Sequence, residues 1–561
     1  MLRLMLRLVV LLAVVTVAII ALLPPEAVVV PTGGLPPVVR GVTHIHSRRS
    51  DGTGTVEQIA AAAARAGLRF VVFTDHGDGT RVPDPPVYRS GVLCIDAVEI
   101  GTNDGHLVAL GLPQTPYPLG GDARDVVEDV RRLGGWAIAA HPGSPRADLA
   151  WKDWEVPVDA IELVNGDSEW RDERPWTLAR TLLSYPFRPA ESLVTLLDRP
   201  DSVLRRWDEL QRERVIVGLA AADAHARVGL TSLGEPYDSR ISLPFPSYET
   251  VLSAMSITVG VQLTGNATTD AARIDEGLRA GRVHSTVDGL ARGGRLRVWV
   301  DGGGMEIVEG GSAAVAENLM LHVRAVAPQD TTLVVLRDGE AFHRAVGRTL
   351  DVPLPAERGV YRVEAALPAM STRPGVPWML SNPIYVGRET PAAVGEPSPR
   401  LRRPFSATRL STARVEHAEA SEGAVSLTTA PGVVELLFRY ALGGRPSDQP
   451  YAAAALELSE GLGGATHLRF TGRADRPMRL SVQLRRPDGG RDGQRWKRSV
   501  YLDDTPRAVS IPLSALRPVP NVPPLDQTRE GVDALLFVVD AGNTPLGLGG
   551  RVWIRGLELI E

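Results

Sequence analysis

Short apolar runs alternate with stretches of helical periodicity from about residue 38 to residue 290. The apolar runs are continuous and are bounded by turn residues, a pattern typical of strands buried on both faces of a parallel sheet. This alternation of strands and helices predicts an α/β fold, either a barrel or a doubly wound sheet. The predicted strands are Val38–Ile45, Phe70–Thr74, Val92–Ile95, Leu107–Leu110, Ala137–Ala140, Ala160–Val164 and Val215–Leu219.

Helical periodicity marks several of the stretches between these strands. In the first, Thr55 and Gln58 have the spacing of a capping box, and Gly67 follows its last periodic residue. In the third, Pro200 interrupts the pattern and predicts a break. The predicted helices are Thr55–Ala66, Asp122–Leu133 and Ala190–Arg214.

The pattern becomes strand-rich beyond residue 290, with turns marked by Gly and Pro. Residues 291–387 predict a small β-sandwich, and residues 388–404 are Pro-rich, charged and aperiodic, as in a linker. The strands of residues 405–561 predict a jelly-roll-like β-sandwich. That last segment is loosely similar to galactose-binding and carbohydrate-binding sandwiches, which makes a glycan its candidate partner. Packing on the catalytic domain, or spacing that domain from a membrane, remains open.

The N-terminus has an apolar pattern that differs from that of the segments described above. Arg3 and Arg7 precede an apolar run from Leu8 to Leu23, somewhat shorter than the ~20 residues of a spanning helix. A cleaved signal peptide and an uncleaved signal anchor both fit, and we favour the anchor because no small-residue cleavage site follows closely. We therefore expect an exported protein, membrane-anchored with its catalytic domain on the periplasmic or extracellular side, and a tether at residues 24–37.

The composition of the chain limits the partners and the metal sites that it can have. The 561-residue chain has 61 Lys plus Arg against 66 Asp plus Glu, a formal net charge of −5, so bulk nucleic-acid binding is not expected. Its one cysteine, Cys94, excludes an intrachain disulfide and a zinc site built on several cysteines. Any metal site in this chain has to use imidazoles and carboxylates.

Ligand-type side chains stand at or near the ends of the predicted strands. Two of the motifs, His44-x-His46 and Asp223-x-His225, place two such groups on one face of an extended segment. Because the carboxyl ends of barrel strands converge, we expect the whole set to meet at one mouth. Imidazoles and carboxylates without thiolates favour Zn, Mn or Fe. The predicted ligands are His44, His46, Asp51, His76, Glu99, His106, His141, Asp223 and His225.

These motifs resemble a known family. THIHSRRSDGT, FTDHG, a Glu followed by GHL, AAHPG and ADAHA are similar to the PHP (polymerase and histidinol phosphatase) domain, which belongs to the amidohydrolase-like metal enzymes. The resemblance covers roughly residues 38–290. It implies a distorted (β/α)7 TIM-like barrel that holds two to three divalent metal ions. In that scheme the first ion is held by His44, His46, Glu99 and Asp223; the second by Glu99, His106 and His141; and the third by Asp51, His76 and His225.

The same resemblance implies hydrolysis of a phosphate mono- or diester, on a phosphorylated small molecule or nucleotide. The chemistry agrees, since a metal-bridging hydroxide is a nucleophile at neutral pH and cations stabilise charge on phosphoryl oxygens. Asp223 and His225 are the predicted catalytic residues, as proton carriers. Arg48, Arg49 and Arg146 lie beside the motifs and are candidates for binding the phosphate.

Two other functions stay open. The same ligands could hydrolyse another ester or an amide, as in related amidohydrolases. The chain could also be a cell-surface glycan-binding protein with an inactive barrel, although a complete ligand set argues against that interpretation. Asn165 and Asp167, which follow the Ala160–Val164 strand, are further candidates to border the site.

Overall fold

The structure is a computed structural model. It describes residues 23–229, 242–243, 245–368, 375–388 and 401–561, together with Met5 and Arg7, apart from residues 32, 303, 431–432, 488–492, 520–521 and 528. The predicted signal anchor or signal peptide, residues 8–23, lies almost wholly outside the described residues. In the part of the chain that is described, no helix has the length and apolar character needed to cross a membrane.

The predicted elements of the first half are present, with small shifts of their ends. The first helix begins after Thr55, whose side chain accepts the Gln58 N–H while the Gln58 side chain accepts the Thr55 N–H, so the capping box is confirmed. The helical stretch predicted to break at Pro200 is interrupted there, and Pro200 directly precedes the helix Asp201–Glu213. The helices are α1 Val56–Arg65, α2 Ala123–Arg132, α3 Pro175–Ser184, α4 Pro189–Val194, α5 Asp201–Glu213, α6 Tyr248–Ala254 and α7 Ala267–Arg279.

The strands of this region include several that the apolar pattern did not reveal. Val98–Thr102, Ser256–Val259 and Val283–Thr286 are the main additions. The strands are β1 Val28–Val29, β2 Val39–Ile45, β3 Phe70–Phe73, β4 Val87–Arg89, β5 Val92–Asp96, β6 Val98–Thr102, β7 Gly105–Leu110, β8 Trp136–Ala139, β9 Ala160–Asn165, β10 Val217–Ala221, β11 Val228–Gly229, β12 Ser242–Leu243, β13 Ser256–Val259 and β14 Val283–Thr286.

The predicted (β/α)7 TIM-like barrel is wrong. Among the described residues, one sheet has five strands in the order β10-β9-β8-β7-β6, and its β6–β7 and β7–β8 pairs are antiparallel. The parallel strands β2, β3 and β5 belong to a separate 12-stranded sheet, in which β13 is antiparallel to β2. A continuous apolar run indicates that a strand is buried on both faces. It does not show which strand pairs with it, or whether the pair is parallel or antiparallel.

Isolated bridges connect these two sheets next to the predicted ligands. Ile45 bridges to Ala224, and His76 bridges to Glu99. The backbone N–H of His46 also donates to the carbonyl of Ala224 at 3.0 Å. The ends of β2, β3, β6 and β10 therefore lie close together without the closed barrel that the sequence predicted.

The 12-stranded sheet continues past residue 290. Strand β14 pairs with Met379–Ser381, which in turn pairs with Gly359–Ala366. The predicted tether is packed, since β1 pairs with Ala291–Arg292 and Val30 is buried. The strands here are β15 Ala291–Arg292, β16 Arg295–Gly302, β17 Met305–Val308, β18 Ser312–Ala313, β19 Met320–Val326, β20 Thr332–Arg337, β21 Glu340–Val346, β22 Thr349–Pro353, β23 Gly359–Ala366, β24 Met379–Ser381 and β25 Ile384–Val386.

The chain divides into two compact units. The first holds residues 1–78, 82–113 and 130–390, and the second holds residues 79–81, 114–129 and 391–561. Most of the predicted linker, residues 389–400, lies outside the described residues, while Arg402–Pro404 pairs with the last strand. The remaining elements are α8 Ala407–Leu410, β26 Arg402–Pro404, β27 Arg414–His417, β28 Glu422–Ala430, β29 Val433–Ala441, β30 Tyr451–Glu457, β31 His467–Ala474, β32 Met478–Arg486, β33 Gln494–Leu502, β34 Arg507–Pro512, β35 Arg517–Pro518, β36 Ala534–Asp540 and β37 Gly549–Ile560.

The strands of residues 401–561 form two sheets, each six-stranded over the described residues. Phe470 of one sheet meets Phe537 of the other edge to face, with ring centroids 5.4 Å apart. Inward-facing side chains of both sheets form one apolar core, which includes Phe438, Leu480 and Ile554. Burial of alternate residues along β37 follows from this packing, because a strand with one face on a core alternates buried and exposed positions.

Candidate metal centre

All nine predicted ligands lie in one cluster within the first unit. The cluster contains four overlapping groups, and in each group the donor atoms lie within 4.8 Å of one another. Donor atoms that converge in this way, on side chains that are buried or nearly so, are what a bound cation requires. The groups are His44, Glu99 and His141; His44, His46 and Asp223; His76, Glu99 and His106; and His46, Asp51, His76 and His225.

Glu99 stands at the centre of the cluster. Its Oε1 lies 2.8 Å from His106 Nδ1 and 2.9 Å from His141 Nε2. Its Oε2 lies 3.1 Å from Nε2 of both His44 and His46. The two oxygens of one carboxylate therefore face two different pairs of imidazoles, which is the arrangement of a carboxylate shared between two cations.

His44 and His46 aim their Nε2 atoms at the same point. The two nitrogens are 3.1 Å apart, and each lies 3.3 Å from Asp223 Oδ1. Zn–N and Zn–O bonds of about 2.0–2.2 Å place neighbouring donor atoms about 3–3.5 Å apart. The separations in this structure match that spacing.

Asp51 organises the third part of the cluster. Its Oδ2 lies 3.0 Å from His225 Nε2, and its Oδ1 lies 3.3 Å from His46 Nδ1 and 3.8 Å from His76 Nε2. An arginine that the sequence analysis did not single out, Arg227, places Nη2 3.4 Å from Asp51 Oδ2. This part of the cluster therefore combines four candidate ligands with a positively charged guanidinium.

Several ligands have backbone conformations that L-residues rarely adopt. The φ angles of His44, His141 and Asp223 are +65°, +32° and +47°. A non-glycine residue in this left-handed region is strained, and such strain is concentrated at functional sites. All three stand at the end of a strand or just beyond it, where the distortion turns the side chain into the cluster.

A second layer of polar groups sets the orientation of the imidazoles. Glu162, buried within β9, places Oε1 2.6 Å from His44 Nδ1 and accepts the backbone N–H of His141 at 2.7 Å. Asn165 donates to Glu162 Oε2 at 2.9 Å, as expected for a residue bordering the site. Asp167 accepts from the Arg171 guanidinium at 3.2 Å. A carboxylate behind a histidine fixes the tautomer that leaves the other ring nitrogen for a metal.

Backbone carbonyls and a tyrosine hold other parts of the cluster. The carbonyl of Leu149 lies 3.2 Å from His141 Nδ1, and the carbonyl of Asp223 lies 2.9 Å from His225 Nδ1. In both cases an Nδ1–H donor leaves Nε2 facing the carboxylates. Tyr248 donates to the carbonyl of His46 at 2.7 Å, which ties α6 to the end of β2.

Burial and neighbouring charges shift the protonation of the cluster in opposite directions. Burial lowers the pKa of the His44 imidazole, but the carboxylates of Asp223, Glu162 and Glu99 outweigh it and raise that pKa above its ordinary value. Burial alone would raise the pKa of Glu99, yet the surrounding imidazoles hold it well below its usual range. For His76 burial dominates and lowers the pKa to about 4, so this ring is neutral at pH 7, the form that binds a metal.

The three arginines predicted to bind phosphate each engage another group. Arg48 donates from Nε to the carbonyl of Thr53 at 2.7 Å. Arg49 pairs with Asp84 and, at 3.4 Å, with Asp96. Arg146 Nη2 lies 2.6 Å from an oxygen of Asp148. Their role toward a phosphate stays a prediction.

Sequence reasoning missed Glu162 and Arg227, although each carried a signal. Glu162 is an acidic residue inside the apolar run AIELV, where an unpaired charge would be costly. Arg227 follows His225 by two residues and so extends the same motif. Both residues could have been recognised as partners of the cluster on those grounds.

Comparison with known proteins does not place the chain in a family. No family model matches it. An uncharacterised protein of Methanocaldococcus jannaschii is 27% identical over 136 residues, which are 22% of this chain and 79% of that protein. A family 11 carbohydrate-binding module from Clostridium thermocellum, solved with a β-1,3-1,4-mixed-linked tetrasaccharide, is 15% identical at a TM-score of 0.24. The match covers 28% of this chain and 95% of the module. A family 29 carbohydrate-binding module complexed with mannohexaose is 16% identical at a TM-score of 0.17. The match covers 26% of this chain and 92% of that module.

Proposed function

We propose that this chain is a metal-dependent hydrolase of phosphate mono- or diesters. The observation that carries the proposal is the position of Glu99 between two pairs of imidazoles, His106 with His141 and His44 with His46. Two to three divalent ions of Mn, Zn or Fe would be held by the nine clustered ligands. Such ions supply Lewis acidity toward a phosphoryl oxygen and activate water at neutral pH.

The protein's own residues bind and orient the substrate. Arg227 is placed to hold a phosphoryl oxygen, since its guanidinium already lies against Asp51 at the edge of the cluster. The rigid pairing of Glu162 with His44 keeps the ligands in one arrangement during turnover. The positive charge of Arg227 favours an anionic group such as a phosphate as the occupant of the site.

Proton transfer falls to His225 and Asp223. The Nδ1–H of His225 is engaged with the Asp223 carbonyl, so Nε2, which faces Asp51, could accept or release a proton when only the first two ions are held and His225 ligates neither of them. The Asp223 carboxylate lies 3.6 Å from the same ring and can receive the proton from water. An imidazole with its second nitrogen fixed in this way delivers the proton in a defined direction to a leaving oxygen.

The test combines metal content with activity. The full chain, purified without chelator, is analysed by elemental mass spectrometry and assayed on 4-nitrophenyl phosphate and bis(4-nitrophenyl) phosphate. We expect two or three bound ions, and loss of both metal and activity in Glu99→Gln. Glu209→Gln, in an exposed ion pair on α5, is the matched control. Bound metal with hydrolysis only of carboxylic esters or amides would transfer the proposal to those bonds, and absence of metal after incubation with Mn and Zn would overturn it.

We infer a second candidate function, glycan binding by residues 401–561. Trp553 lies on the outer face of a sheet of the second unit, in register with Leu437 on one side and Arg473 on the other. The buried carboxylate of Glu435 accepts from Arg473 at 3.3 Å on the same face. The Arg473 guanidinium lies over the Trp553 ring, 3.9 Å from its centroid, so a sugar ring that stacks on this indole has to displace the arginine or use the other face of the ring.

Affinity electrophoresis of the full chain through gels that contain a soluble β-glucan or mannan tests this candidate. Retardation that is lost in Trp553→Ala and kept in Trp176→Ala would support it, because Trp176 is exposed on α3 in the first unit. Equal mobility with and without polysaccharide would remove it.

A further inference from the structure

An apolar cavity of about 250 Å³ adjoins the metal centre. Three of the residues that line it, Asp223, His225 and Arg227, belong to the cluster or contact it. The opposite walls are aliphatic and come from α3, from residues 193–197 and from α6. These aliphatic residues are Leu178, Leu193, Leu196, Leu197, Val251 and Met255.

The cavity and the proposed phosphate site share wall residues. Asp223 and His225 present their carboxylate and imidazole to the cluster, and both residues also form part of the cavity wall. Arg227 marks the boundary, with Nη2 3.4 Å from Asp51 Oδ2. An occupant that fills both parts therefore needs an anionic end at the cluster and an apolar body in the cavity.

The cavity also reaches the protein surface. Leu182 lines it and is 57% exposed, and its neighbour Leu183 on α3 is 59% exposed. At the other side Glu169 lines the cavity, and burial raises the pKa of its carboxyl to about 7. Burial of this carboxyl favours its neutral form, which is compatible with an apolar wall.

We propose that the substrate is a phosphate ester whose organic group is apolar, an aryl or short alkyl group that occupies this cavity. The inference rests on the proposed phosphoesterase function and specifies its substrate class. An apolar cavity of about 150 Å³ accepts a benzene ring, so about 250 Å³ accepts a substituted ring or a short alkyl chain. A sugar or nucleoside would bury hydroxyl and amide groups against leucine side chains that offer them no hydrogen bonds.

Binding of non-hydrolysable phosphonates to the metal-loaded full chain tests the substrate class. Each methylene-sized group moved from water into the cavity is worth about a fourfold gain in affinity, so phenylphosphonate should bind more than about 20-fold tighter than methylphosphonate. Isothermal titration calorimetry measures both. Equal affinities, or tighter binding of glycerol phosphate or adenosine monophosphate, would overturn the inference while leaving the phosphoesterase proposal intact.

Matched variants on α3 test whether the preference for phenylphosphonate arises in this cavity. Leu182→Gln, alone and with Leu178→Gln, should remove most of the preference for phenylphosphonate, since both side chains line the cavity. Leu183→Gln is the control, because it changes an equally exposed leucine of the same helix that is not part of the cavity wall. Leu182 and Leu183 are more than half exposed, so both single variants are expected to fold, which circular dichroism checks.

A metal-free measurement separates the two proposals. Chelator-treated chain is titrated with 2-naphthol, whose fluorescence reports transfer to an apolar site, and binding should weaken in Leu182→Gln but not in Leu183→Gln. Binding of 2-naphthol without any phosphoester hydrolysis would retain the apolar cavity and reject the phosphoesterase function. No binding of 2-naphthol and no preference for phenylphosphonate would reject the cavity as the substrate site.

Discussion

Glu162 Oε1 lies 2.6 Å from His44 Nδ1, and its second oxygen accepts the backbone N–H of His141 at 2.7 Å. One buried carboxylate on β9 therefore positions two candidate ligands, one on strand β2 and one in the segment that follows β8. Groups of this kind orient metal ligands without touching the metal, and their loss loosens the whole site.

Replacing Glu162 with Gln should weaken metal binding by about 10- to 100-fold. The amide keeps the size of the side chain but removes the charge that favours an Nδ1–H on His44. Competition titration with a chromogenic chelator measures the affinity for Zn or Mn, and Glu209→Gln, an exposed residue of α5, is the control. Unchanged affinity in Glu162→Gln would show that this carboxylate does not support the site.

Adding Mn or Zn to chelator-treated protein should raise its melting temperature. A cation that binds only the folded chain stabilises it by about 2.7 kcal/mol at 100 times its dissociation constant. Differential scanning fluorimetry across a metal series measures the shift. The double variant His46→Ala/Asp223→Asn, which removes two members of the buried cluster, should show little of it. A shift of the same size in that variant would place the bound metal elsewhere.

Arg362 should be essential for the stability of the first unit. It is 2% exposed, and its guanidinium donates to both oxygens of Asp208, at 2.7 and 2.8 Å, and to Glu364 at 2.7 Å. Arg362→Ala leaves the buried Asp208 carboxylate without its partner, whereas Glu364 keeps Arg199, and the loss costs about 3–5 kcal/mol. Urea denaturation measures the free energy of unfolding.

The exposed pair of Arg206 and Glu209 provides the comparison for Arg362. Arg206→Ala should change the free energy of unfolding by less than about 1 kcal/mol, since solvent already screens this pair. Equal effects of the two substitutions would contradict a structural role for the buried network.

His284 should make the folded chain less stable in mild acid. It lies on β14 between Thr258 and Ser381 of the neighbouring strands; burial, with a smaller contribution from Arg295, lowers its pKa to about 4. The unfolded chain, with a His pKa of about 6.5, then binds the proton more readily than the folded chain. The contribution of His284 is full above pH 6.5 and is lost as the pH falls from there toward 4.

The expected loss between pH 7.5 and pH 5.0 is about 2 kcal/mol. Urea denaturation of metal-free protein at both pH values measures it. His284→Leu should lack this part of the pH dependence, whereas the titration of the metal ligands remains in both proteins and cancels in the difference. A variant with the same pH dependence as the unmodified chain would assign the effect to other groups.

Much of the local structure followed from the sequence. The apolar runs predicted the strands of the first half to within about two residues, and the Thr55–Gln58 capping box and the break at Pro200 are where the sequence placed them. The strand predicted at Val215–Leu219 is observed at Val217–Ala221, since Val215 is 46% exposed and lies outside the sheet. Spacing also identified the nine residues that the structure brings together.

The sequence by itself identified the nine His and carboxylate residues that cluster, because so many of these groups next to apolar runs are hard to explain as packing residues. Only the tertiary structure decided how the strands pair, since hydrophobic periodicity reports burial and not the neighbour or its direction. The separate sheets, the support of His44 by Glu162 and the apolar cavity beside His225 all depend on contacts between residues distant in sequence. Such contacts leave no periodic pattern along the chain, and for that reason the predicted barrel was wrong while the residues that cluster were identified.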